Sequence, residues 1–278
     1  MRVWKQGLGR LFLRLLVNTP LQIKSSRFMR SITKQVLRKT AFVNLQITRS
    51  FCKGIILPAQ TDPYLLFLTG LYERPVQRVV AQKSAIGMIA LNCGAHVGFF
   101  TLLLAKRVGK KGRVFAFEPD PTLRSILQRN IQLNSLNNVT VLPYAVSDRT
   151  GTVPFIAEGK STSRMPGMGR RDDEGPLTTV ESITVDDFCA RNNVTPDLIK
   201  MDIEGAEGLA LAGAKKVLTT ARPVIICEIH TLKAAQQVHS ILTECGYSKL
   251  SLITKTGRKK PWRLQANVAF TYHILAEP

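Results

Sequence analysis

Residues 86–101 decide the fold, and they read IGMIALNCGAHVGFFT. The first six form a short apolar run, which predicts a buried strand that meets a tight turn at Asn92-Cys93-Gly94. The apolar stretch from Phe99 to Val108 predicts a helix, and Gly109 marks its end. The segment therefore predicts the strand–turn–helix unit from which parallel sheets are built.

Six further strands follow along the chain, and helices separate most of them. The predicted strands cover residues 113–117, 139–146, 197–203, 224–230, 249–254 and 267–275. One helix begins at Asp120-Pro121, where the aspartate caps the helix and the proline takes its first position. Two others cover residues 209–218 and 232–242. The last two strands flank the basic loop 257–260 without a helix, so we expect them to pair antiparallel.

Strands joined by helices indicate an α/β fold, since an all-α or all-β fold would contradict most of these runs. We expect a Rossmann-like, mostly parallel seven-stranded sheet that ends in the antiparallel hairpin. Residues 157–177 are rich in Gly, Pro, Ser and charged residues, which predicts a mobile loop. We expect residues 53–278 to form this domain and residues 1–52 to precede it as a basic, helical extension.

The positive charge belongs mainly to this extension. The formal net charge is +20, yet the first 60 residues hold twelve Lys or Arg and no carboxylate, since Asp62 is the first acidic residue. From Ala85 onward, 24 basic residues stand against 17 acidic ones. Such asymmetry favours an anionic partner surface, either lipid headgroups or nucleic acid.

The extension also carries an amphipathic pattern. Four apolar residues share one helical face, namely Trp4, Leu8, Leu11 and Leu15. A basic helix of this kind either contacts an anionic membrane peripherally, through residues 1–50, or packs on the main domain with a solvated basic back. No apolar run reaches about 18 residues, so no membrane span is predicted. An Arg-rich leader without acids is also typical of a mitochondrial transit peptide.

The five cysteines are scattered and include no CxxC pair. This pattern indicates neither a disulfide framework nor a zinc site, and it favours a reducing compartment. We therefore expect a cytoplasmic protein, either free or at the membrane surface. No other ligand spacing demands a metal and no metal site is assigned, which leaves a divalent metal held by the carboxylates of Asp202 and Glu204 as an open alternative.

Residues at the carboxyl ends of the first two strands indicate a ligand that contains adenosine. Ligands of such sheets bind where the strand order reverses. Gly94 allows the tight turn, Gly98 allows the helix to approach the ligand, and the amides at the helix N-terminus suit a carboxylate. Glu118 ends the second strand twenty residues after Gly98. At that distance an acidic side chain can accept hydrogen bonds from both ribose hydroxyls.

The competing ligand is NAD. Three residues separate Gly94 from Gly98, which gives G-x-x-x-G in place of G-x-G-x-x-G. The glycine that lets a pyrophosphate lie close is therefore missing. The terminal antiparallel hairpin also disfavours an ordinary dinucleotide fold, so both points argue against NAD.

Several motifs, in order, resemble those of the FkbM-type methyltransferases. The matching segments are Thr69–Glu73, Leu91–Thr101, Ala116–Pro119, Leu133–Asn134, Ile199–Glu207, Arg222–Pro223 and Glu228–His230. The resemblance covers about residues 53–275 and leaves out the first 50. It implies a class I methyltransferase fold that binds S-adenosylmethionine and methylates mostly hydroxyl groups of small molecules or sugars.

The resemblance also assigns residues to the donor. It implies that Gly94, Ala95 and Gly98 line the methionine end and that Glu118 holds the ribose. Ser147 and Asp148, after the third strand, would lie near the adenine. Four further residues of the matching motifs complete the predicted donor site: Glu73, Asn92, His96 and Thr101.

Two residues depart from the family's usual pattern, which has Asp in place of Asn92 and Asn in place of His96. Asn92 keeps the geometry of an acceptor but lacks the charge that complements the donor's ammonium group. A charge-assisted hydrogen bond contributes about 1.5–3 kcal/mol against about 0.5–1.5 kcal/mol for a neutral one, so we expect donor affinity to be about tenfold weaker. His96 fills the asparagine's place, caps the helix or senses pH. These departures leave open a weakened enzyme.

The predicted catalytic residues are Asp202, Glu204 and His230. The resemblance implies that Asp202 and Glu204, after the fourth strand, face the methyl group and the acceptor, and His230 ends the adjacent strand. A hydroxyl acceptor loses its proton as it attacks, so a base near the methyl group assists the reaction. Each residue also has a structural interpretation: Asp202 as an orienting residue, Glu204 as a helix cap and His230 as a structural histidine.

Two other functions compete with methylation of a small molecule or glycan. A nucleic-acid methyltransferase fits the charge of +20. However, the Asp-Ile-Glu-Gly motif at residues 202–205 lacks a Pro-Pro-aromatic platform for stacking a base, so nucleic acid is the less favoured partner. The second alternative is a membrane-associated binding module that keeps the fold without catalysis.

Overall fold

A computed structural model describes residues 44–58, 67–159, 163–168, 175–264 and 271–278. The chain divides into two compact units, Met1–Arg74 and Pro75–Pro278. The predicted amphipathic helix near the N-terminus lies outside the described residues. The expected domain boundary between residues 52 and 53 stays a prediction. Within the described ranges, no helix has both the length and the apolar character needed to cross a membrane.

In the first unit, the described residues form a hairpin. Strand β1 (Asn44–Gln46) pairs antiparallel with β2 (Ile56–Pro58). The sequence Asn-Leu-Gln alternates polar and apolar residues, and the strand accordingly buries Leu45 and exposes its two neighbours. After β1, the backbone amide of Ile47 donates to the carbonyl of Ile55, and its carbonyl accepts from the amide of Gly54, so the pairing continues toward the turn.

The chain after the hairpin alternates strands and helices. Its strands are β3 (Ile89–Cys93), β4 (Arg113–Phe117), β5 (Val139–Leu142), β6 (Ala145–Val146), β7 (Gly151–Ile156), β8 (Leu177–Ile183), β9 (Leu198–Met201), β10 (Val224–Ile229), β11 (Lys249–Ile253), β12 (Lys259–Pro261) and β13 (Tyr272–Glu277). Its helices are α1 (Arg74–Lys83), α2 (Phe99–Val108), α3 (Pro121–Leu133), α4 (Val185–Asn192), α5 (Glu207–Ala212), α6 (Lys215–Thr220) and α7 (Leu232–Glu244).

Eight of these strands form the central sheet, in the order β12-β11-β13-β10-β9-β3-β4-β5. Strands β10, β9, β3, β4 and β5 are parallel, and β13 is antiparallel to both β10 and β11. The predicted α/β fold with a mostly parallel sheet and an antiparallel end is confirmed. The sheet has eight strands instead of seven because Lys259–Pro261, within and beside the expected loop, forms a short edge strand. Lysine and proline are typical of sheet edges.

The chain reverses its course across the sheet between β3 and β9. From β3 it moves outward to β4 and β5, and it then returns to place β9 and β10 on the other side of β3. Parallel strands end at the same edge of a sheet, so the carboxyl ends of β3, β4, β9 and β10 lie together. This edge is the position at which open α/β sheets bind their ligands.

Two local predictions are wrong. The strand expected at 139–146 is two strands, because only β5 joins the central sheet while β6 pairs with β8 in a separate sheet of order β6-β8-β7. The helix expected at 209–218 is two helices, α5 and α6, on either side of Gly213. The backbone of Gly213 packs so closely on Ser147 that a Cβ atom would overlap its carbonyl oxygen.

The described part of the predicted mobile loop is packed. Ile156 and Arg164 exchange backbone hydrogen bonds, and the side chains of Arg164 and Met165 are buried. Strands β7 and β8, which pair antiparallel on either side of this loop, were not predicted. Four of the seven residues of β8 are polar and four are exposed, so the strand lacks the apolar pattern by which strands are recognised.

Aromatic side chains fix the strand that leads into the predicted ribose site. Phe115 and Phe117 are two residues apart on β4 and therefore point to the same face of the sheet. Phe188 of α4 packs edge-on against both rings, with centroid distances of 5.0 Å and 4.9 Å. All three side chains are buried. The end of β4, and with it Glu118, is thus held by the core.

Candidate active site

The turn after β3 lies directly against the end of β9. Gly94 has a φ of 77°, which side chains disfavour, and a Cβ atom there would overlap the carbonyl oxygen of Asp202. The amide of Asp202 donates to the carbonyl of Cys93 at 3.0 Å. Only a glycine fits between the two backbones, so the turn and the predicted catalytic segment are built as one unit.

The turn also donates a backbone hydrogen bond to Glu118, the residue predicted to bind the ribose. The amide of His96 donates to Oε2 of Glu118 at 2.6 Å, and the amide of Asp120 donates to Oε1 at 3.0 Å. His96 adopts a φ of 51°, a conformation in which asparagine is far commoner than most residues. The backbone amide of His96 therefore orients Glu118, and this interaction does not depend on the imidazole.

Burial changes the ionisation of both residues. Glu118 is 4% exposed. Burial raises the pKa of Glu118 to about 7, although the two amide hydrogen bonds oppose the shift. Burial also lowers the pKa of the His96 imidazole, so its neutral form is favoured. The side chain that would accept two ribose hydroxyls therefore changes charge near neutral pH.

Asn92 and Thr101 join the end of β3 to the first turn of α2. Nδ2 of Asn92 donates to Oγ1 of Thr101 at 2.8 Å, and both side chains are buried. Among the described residues, Oδ1 of Asn92 has no hydrogen-bond partner. A buried acceptor without a partner is unfavourable, and it suits a ligand that brings a donor, such as an ammonium group.

Asp120 has two structural roles, of which the sequence predicted one. Its Oδ1 accepts from the amides of Thr122 and Leu123, which confirms the predicted helix cap of α3. Its Oδ2 accepts from the amide of Gly159 and the hydroxyl of Ser163, both at 2.8 Å. One buried carboxylate therefore holds the described part of the 157–177 loop beside Glu118.

The other predicted donor residues take different positions. Ser147 is buried after β6, and its hydroxyl donates to Oδ1 of Asp148 at 3.0 Å. Ala95 is buried in the turn, where its carbonyl accepts from the amide of Gly98. Glu73 belongs to the first unit and has a φ of 42°. The roles of Ser147, Asp148 and Glu73 toward a donor stay predictions.

The three predicted catalytic residues lie together. Nε2 of His230 is 3.7 Å from Oδ1 of Asp202 and 3.6 Å from Oε2 of Glu204. Glu204 has a φ of 53°, and a strained backbone of this kind often occurs at functional sites. The carboxyl ends of β9 and β10 thus bring the residues together as the sequence predicted.

Two partners of this cluster were not predicted. Lys200, which is 1% exposed within β9, donates from Nζ to Oδ2 of Asp202 at 2.8 Å and lies 4.8 Å from the centre of the Phe100 ring. Glu207 is fully buried, and its Oε1 lies 2.8 Å from Nδ1 of His230. A lysine inside an apolar strand was the signal for the first, since a buried lysine requires a carboxylate. The sequence offers no comparable signal for Glu207.

The members of the cluster differ in the direction in which their pKa values are shifted. Burial opposes the ionisation of Asp202, but the charge and hydrogen bond of Lys200, with His230, hold the pKa of Asp202 well below its usual range. Burial raises the pKa of Glu204 to about 7. Burial favours neutral His230, yet its hydrogen bond to Glu207 and the neighbouring carboxylates raise its pKa to about 9.

Comparison with known proteins places these features in a family. The chain is 28% identical over 203 residues to the 2-O-methyltransferase NoeI of Sinorhizobium fredii, covering 67% of this chain and 77% of the relative. It is 28% identical over 188 residues to the hexuronic acid methyltransferase AglP of Haloferax volcanii, covering 67% of this chain and 73% of the relative.

Among solved structures, a methyltransferase FkbM from Methylobacillus flagellatus matches with a TM-score of 0.47 and 17% identity, covering 76% of this chain and 52% of that one. The model of the methyltransferase FkbM domain matches residues 92–249, which include the turn after β3, Glu118 and the Asp202–His230 cluster. This protein belongs to the FkbM methyltransferase domain family.

Proposed function

We propose that this protein transfers a methyl group from S-adenosylmethionine to a hydroxyl group of a sugar or a similar small molecule. One observation carries the proposal: the glycine turn that would hold the donor packs on the backbone of Asp202, and Asp202 lies in a cluster with Glu204 and His230. The names of two relatives, a 2-O-methyltransferase and a hexuronic acid methyltransferase, support a saccharide hydroxyl as the acceptor.

The residues of the turn fit the donor. Each carboxylate oxygen of Glu118 accepts one backbone amide and has capacity for one more donor, which suits the two ribose hydroxyls. Oδ1 of Asn92 suits the ammonium group, since it is a buried acceptor that lacks a partner in the described part of the chain. When bound, S-adenosylmethionine supplies a methyl group on a positively charged sulfur, and its loss leaves a neutral thioether.

Within the catalytic cluster, Glu204 is best placed to receive the proton of the acceptor hydroxyl. Oδ2 of Asp202 is bound to Lys200, and Nδ1 of His230 is bound to Glu207. Glu204 is 30% exposed, and its ion-pair contact among the described residues is His230 at 3.6 Å. A base must be reachable by the substrate, so we assign the role of proton acceptor to this accessible carboxylate.

The partners suggested by the charge of residues 1–43 stay predictions. Those residues lie outside the described part of the chain, and they carry ten Lys or Arg and no acidic residue. An anionic membrane surface is the favoured partner for them, and nucleic acid is the less favoured one. Neither partner is needed for methylation of a saccharide hydroxyl.

The proposal is tested by donor binding followed by transfer. The purified full chain should bind S-adenosylmethionine in titration calorimetry and should transfer its labelled methyl group to saccharides that contain uronic acid or free 2-hydroxyl groups. Mass spectrometry of the product should place the methyl group on oxygen. If the protein does not bind the donor, the proposal is wrong. If it methylates RNA in preference to every saccharide, the proposed acceptor is wrong and RNA takes its place.

A further inference from the structure

Three side chains at the ends of β9 and β10 direct ligand atoms toward a common point. Nε2 of His230 is 3.7 Å from Oδ1 of Asp202 and 3.9 Å from Oε1 of Glu228. The three ligand atoms all lie within 4.8 Å of one another. These separations exceed a hydrogen bond, so the groups are brought together without being bonded to each other.

The other polar atom of each group lies close to a neighbouring side chain. Oδ2 of Asp202 accepts from Lys200 at 2.8 Å, Nδ1 of His230 lies 2.8 Å from Glu207, and Oε2 of Glu228 lies 3.3 Å from Nε2 of His273. Metal ligands are typically oriented in this way, and histidine ligands most often by a carboxylate on the second nitrogen. The partners fix the three groups so that their remaining atoms converge.

The distances fit a small divalent ion. A point equidistant from three atoms with these separations lies at most about 2.5 Å from each of them, and metal bonds to nitrogen or carboxylate oxygen are about 2.0–2.2 Å long. Small rotations of the side chains would close the difference. One imidazole with two carboxylates favours a first-row transition ion over Mg²⁺ or Ca²⁺, which prefer oxygen ligands alone.

The charge of the cluster also favours a cation. Four carboxyl groups lie within 3.9 Å of the His230 ring nitrogens: Asp202, Glu204, Glu207 and Glu228. Lys200, which is paired with Asp202, and protonated His230 compensate at most two of these four charges. Glu207 is fully buried, and no described residue donates a hydrogen bond to its Oε2. Partly buried charges of one sign are costly unless an opposite charge compensates them.

We propose that Asp202, Glu228 and His230 bind a divalent transition-metal ion next to Glu204. The ion's role in the reaction rests on the proposed function: a cation there would lower the pKa of an acceptor hydroxyl and so ease the loss of its proton to Glu204. The sequence left a metal held by Asp202 and Glu204 open and assigned none, because the three ligands show no ligand spacing along the chain. The sheet brings them together.

The test is a Mn²⁺ titration of the full chain after chelator treatment and dialysis, with free Mn²⁺ followed by its electron paramagnetic resonance signal. We expect one Mn²⁺ per chain, which Zn²⁺ displaces and excess Mg²⁺ does not, as the imidazole ligand requires. Glu228→Gln and His230→Gln should each weaken Mn²⁺ binding at least about tenfold. Glu244→Gln, which alters a half-exposed carboxylate paired with Lys215, is the matched control and should bind as the wild type does.

Donor binding to the same samples separates this inference from the proposed function. All variants should retain S-adenosylmethionine binding in calorimetry, which also shows that they are folded. If His230→Gln does not fold, Glu228→Gln alone decides. A wild-type chain that binds the donor but neither Mn²⁺ nor Zn²⁺ overturns the metal site and leaves the methyltransferase proposal intact. Equal Mn²⁺ affinity in the wild type and the folded ligand variants also overturns it.

Discussion

The proposed donor side and the proposed acceptor side of the site use different parts of the protein chain. The donor side, which is the turn at residues 92–98 with Glu118, works through its backbone: Gly94 packs on Asp202, and the amide of His96 binds Glu118. The acceptor side, which is residues 200–207 with Glu228 and His230, works through charged side chains from β9, β10 and the start of α5.

The difference shows why the two sides should respond differently to substitution. A backbone cradle tolerates changes of side chain as long as the φ angles are met, and this explains how the departure at His96 is accommodated. A charge network has no such tolerance, since removing one member leaves its partner buried and uncompensated. We therefore expect each substitution below to affect mainly the side that it changes.

The largest effect is expected on the acceptor side, from Glu204→Gln. The amide keeps the shape of the carboxylate but cannot accept a proton at neutral pH. Loss of a general base typically lowers kcat about 100-fold to 10,000-fold. Donor affinity in calorimetry should stay within about twofold of the wild type, a difference of about 0.4 kcal/mol. A kcat close to the wild-type value would exclude Glu204 as the base.

On the donor side, Glu118→Ala should abolish detectable donor binding while leaving the fold intact. It removes acceptors for two ribose hydroxyls, each worth about 1.5–3 kcal/mol, so affinity should fall at least about 100-fold. Glu181→Ala, at an exposed position of β8, is the control. Unchanged affinity in titration calorimetry would remove Glu118 from the site.

The pKa of Glu118, raised to about 7 by burial, predicts a pH dependence confined to the donor side. Ionised Glu118 accepts both hydroxyls, so donor affinity should rise with pH up to about 7 and then level off. Below pH 7, the affinity should fall by a factor that approaches about tenfold for each pH unit. Glu118→Gln should remove this dependence. A profile of the wild type that is flat between pH 6 and 8 would contradict the assignment.

The same ionisation predicts a trend in stability without donor. The native state holds the proton of Glu118 more tightly than the unfolded chain, whose carboxyl has a pKa near 4.5. The free energy of unfolding should therefore decrease as pH rises from about 4.5 to about 7. Denaturant unfolding of the wild type against Glu118→Gln isolates this contribution, because the amide does not titrate.

The smallest effect is a gain, from Asn92→Asp. The carboxylate would add charge to the acceptor that faces the donor's ammonium group, and affinity should rise up to about tenfold. Part of this gain is offset because a buried carboxylate costs free energy in the absence of the donor. Calorimetry with S-adenosylmethionine measures the net result, and weaker binding would show that Asn92 does not contact the ammonium.

The sequence predicted the elements that carry local signals. The helix Phe99–Val108, the strand Arg113–Phe117 and the cap at Asp120 all lie where it placed them. It missed β7 and β8, whose polar exposed residues resemble a loop, and the break of the helix at Gly213, which depends on a distant contact with Ser147. Predictions failed where a neighbour distant in sequence decides the conformation.

The sequence by itself determined the glycine turn, the cap, the order of the strands along the chain and the resemblance to a methyltransferase family, because each depends on residues that are adjacent or regularly spaced. Only the tertiary structure decided the partners of the charged residues. Glu207, at the start of α5, reaches His230 after β10, and Glu228 of β10 lies beside His273 of β13. Lys200 is only two residues from Asp202, but its burial is set by the sheet around it. Electrostatic interactions depend on distance in space, and only the folded sheet sets that distance.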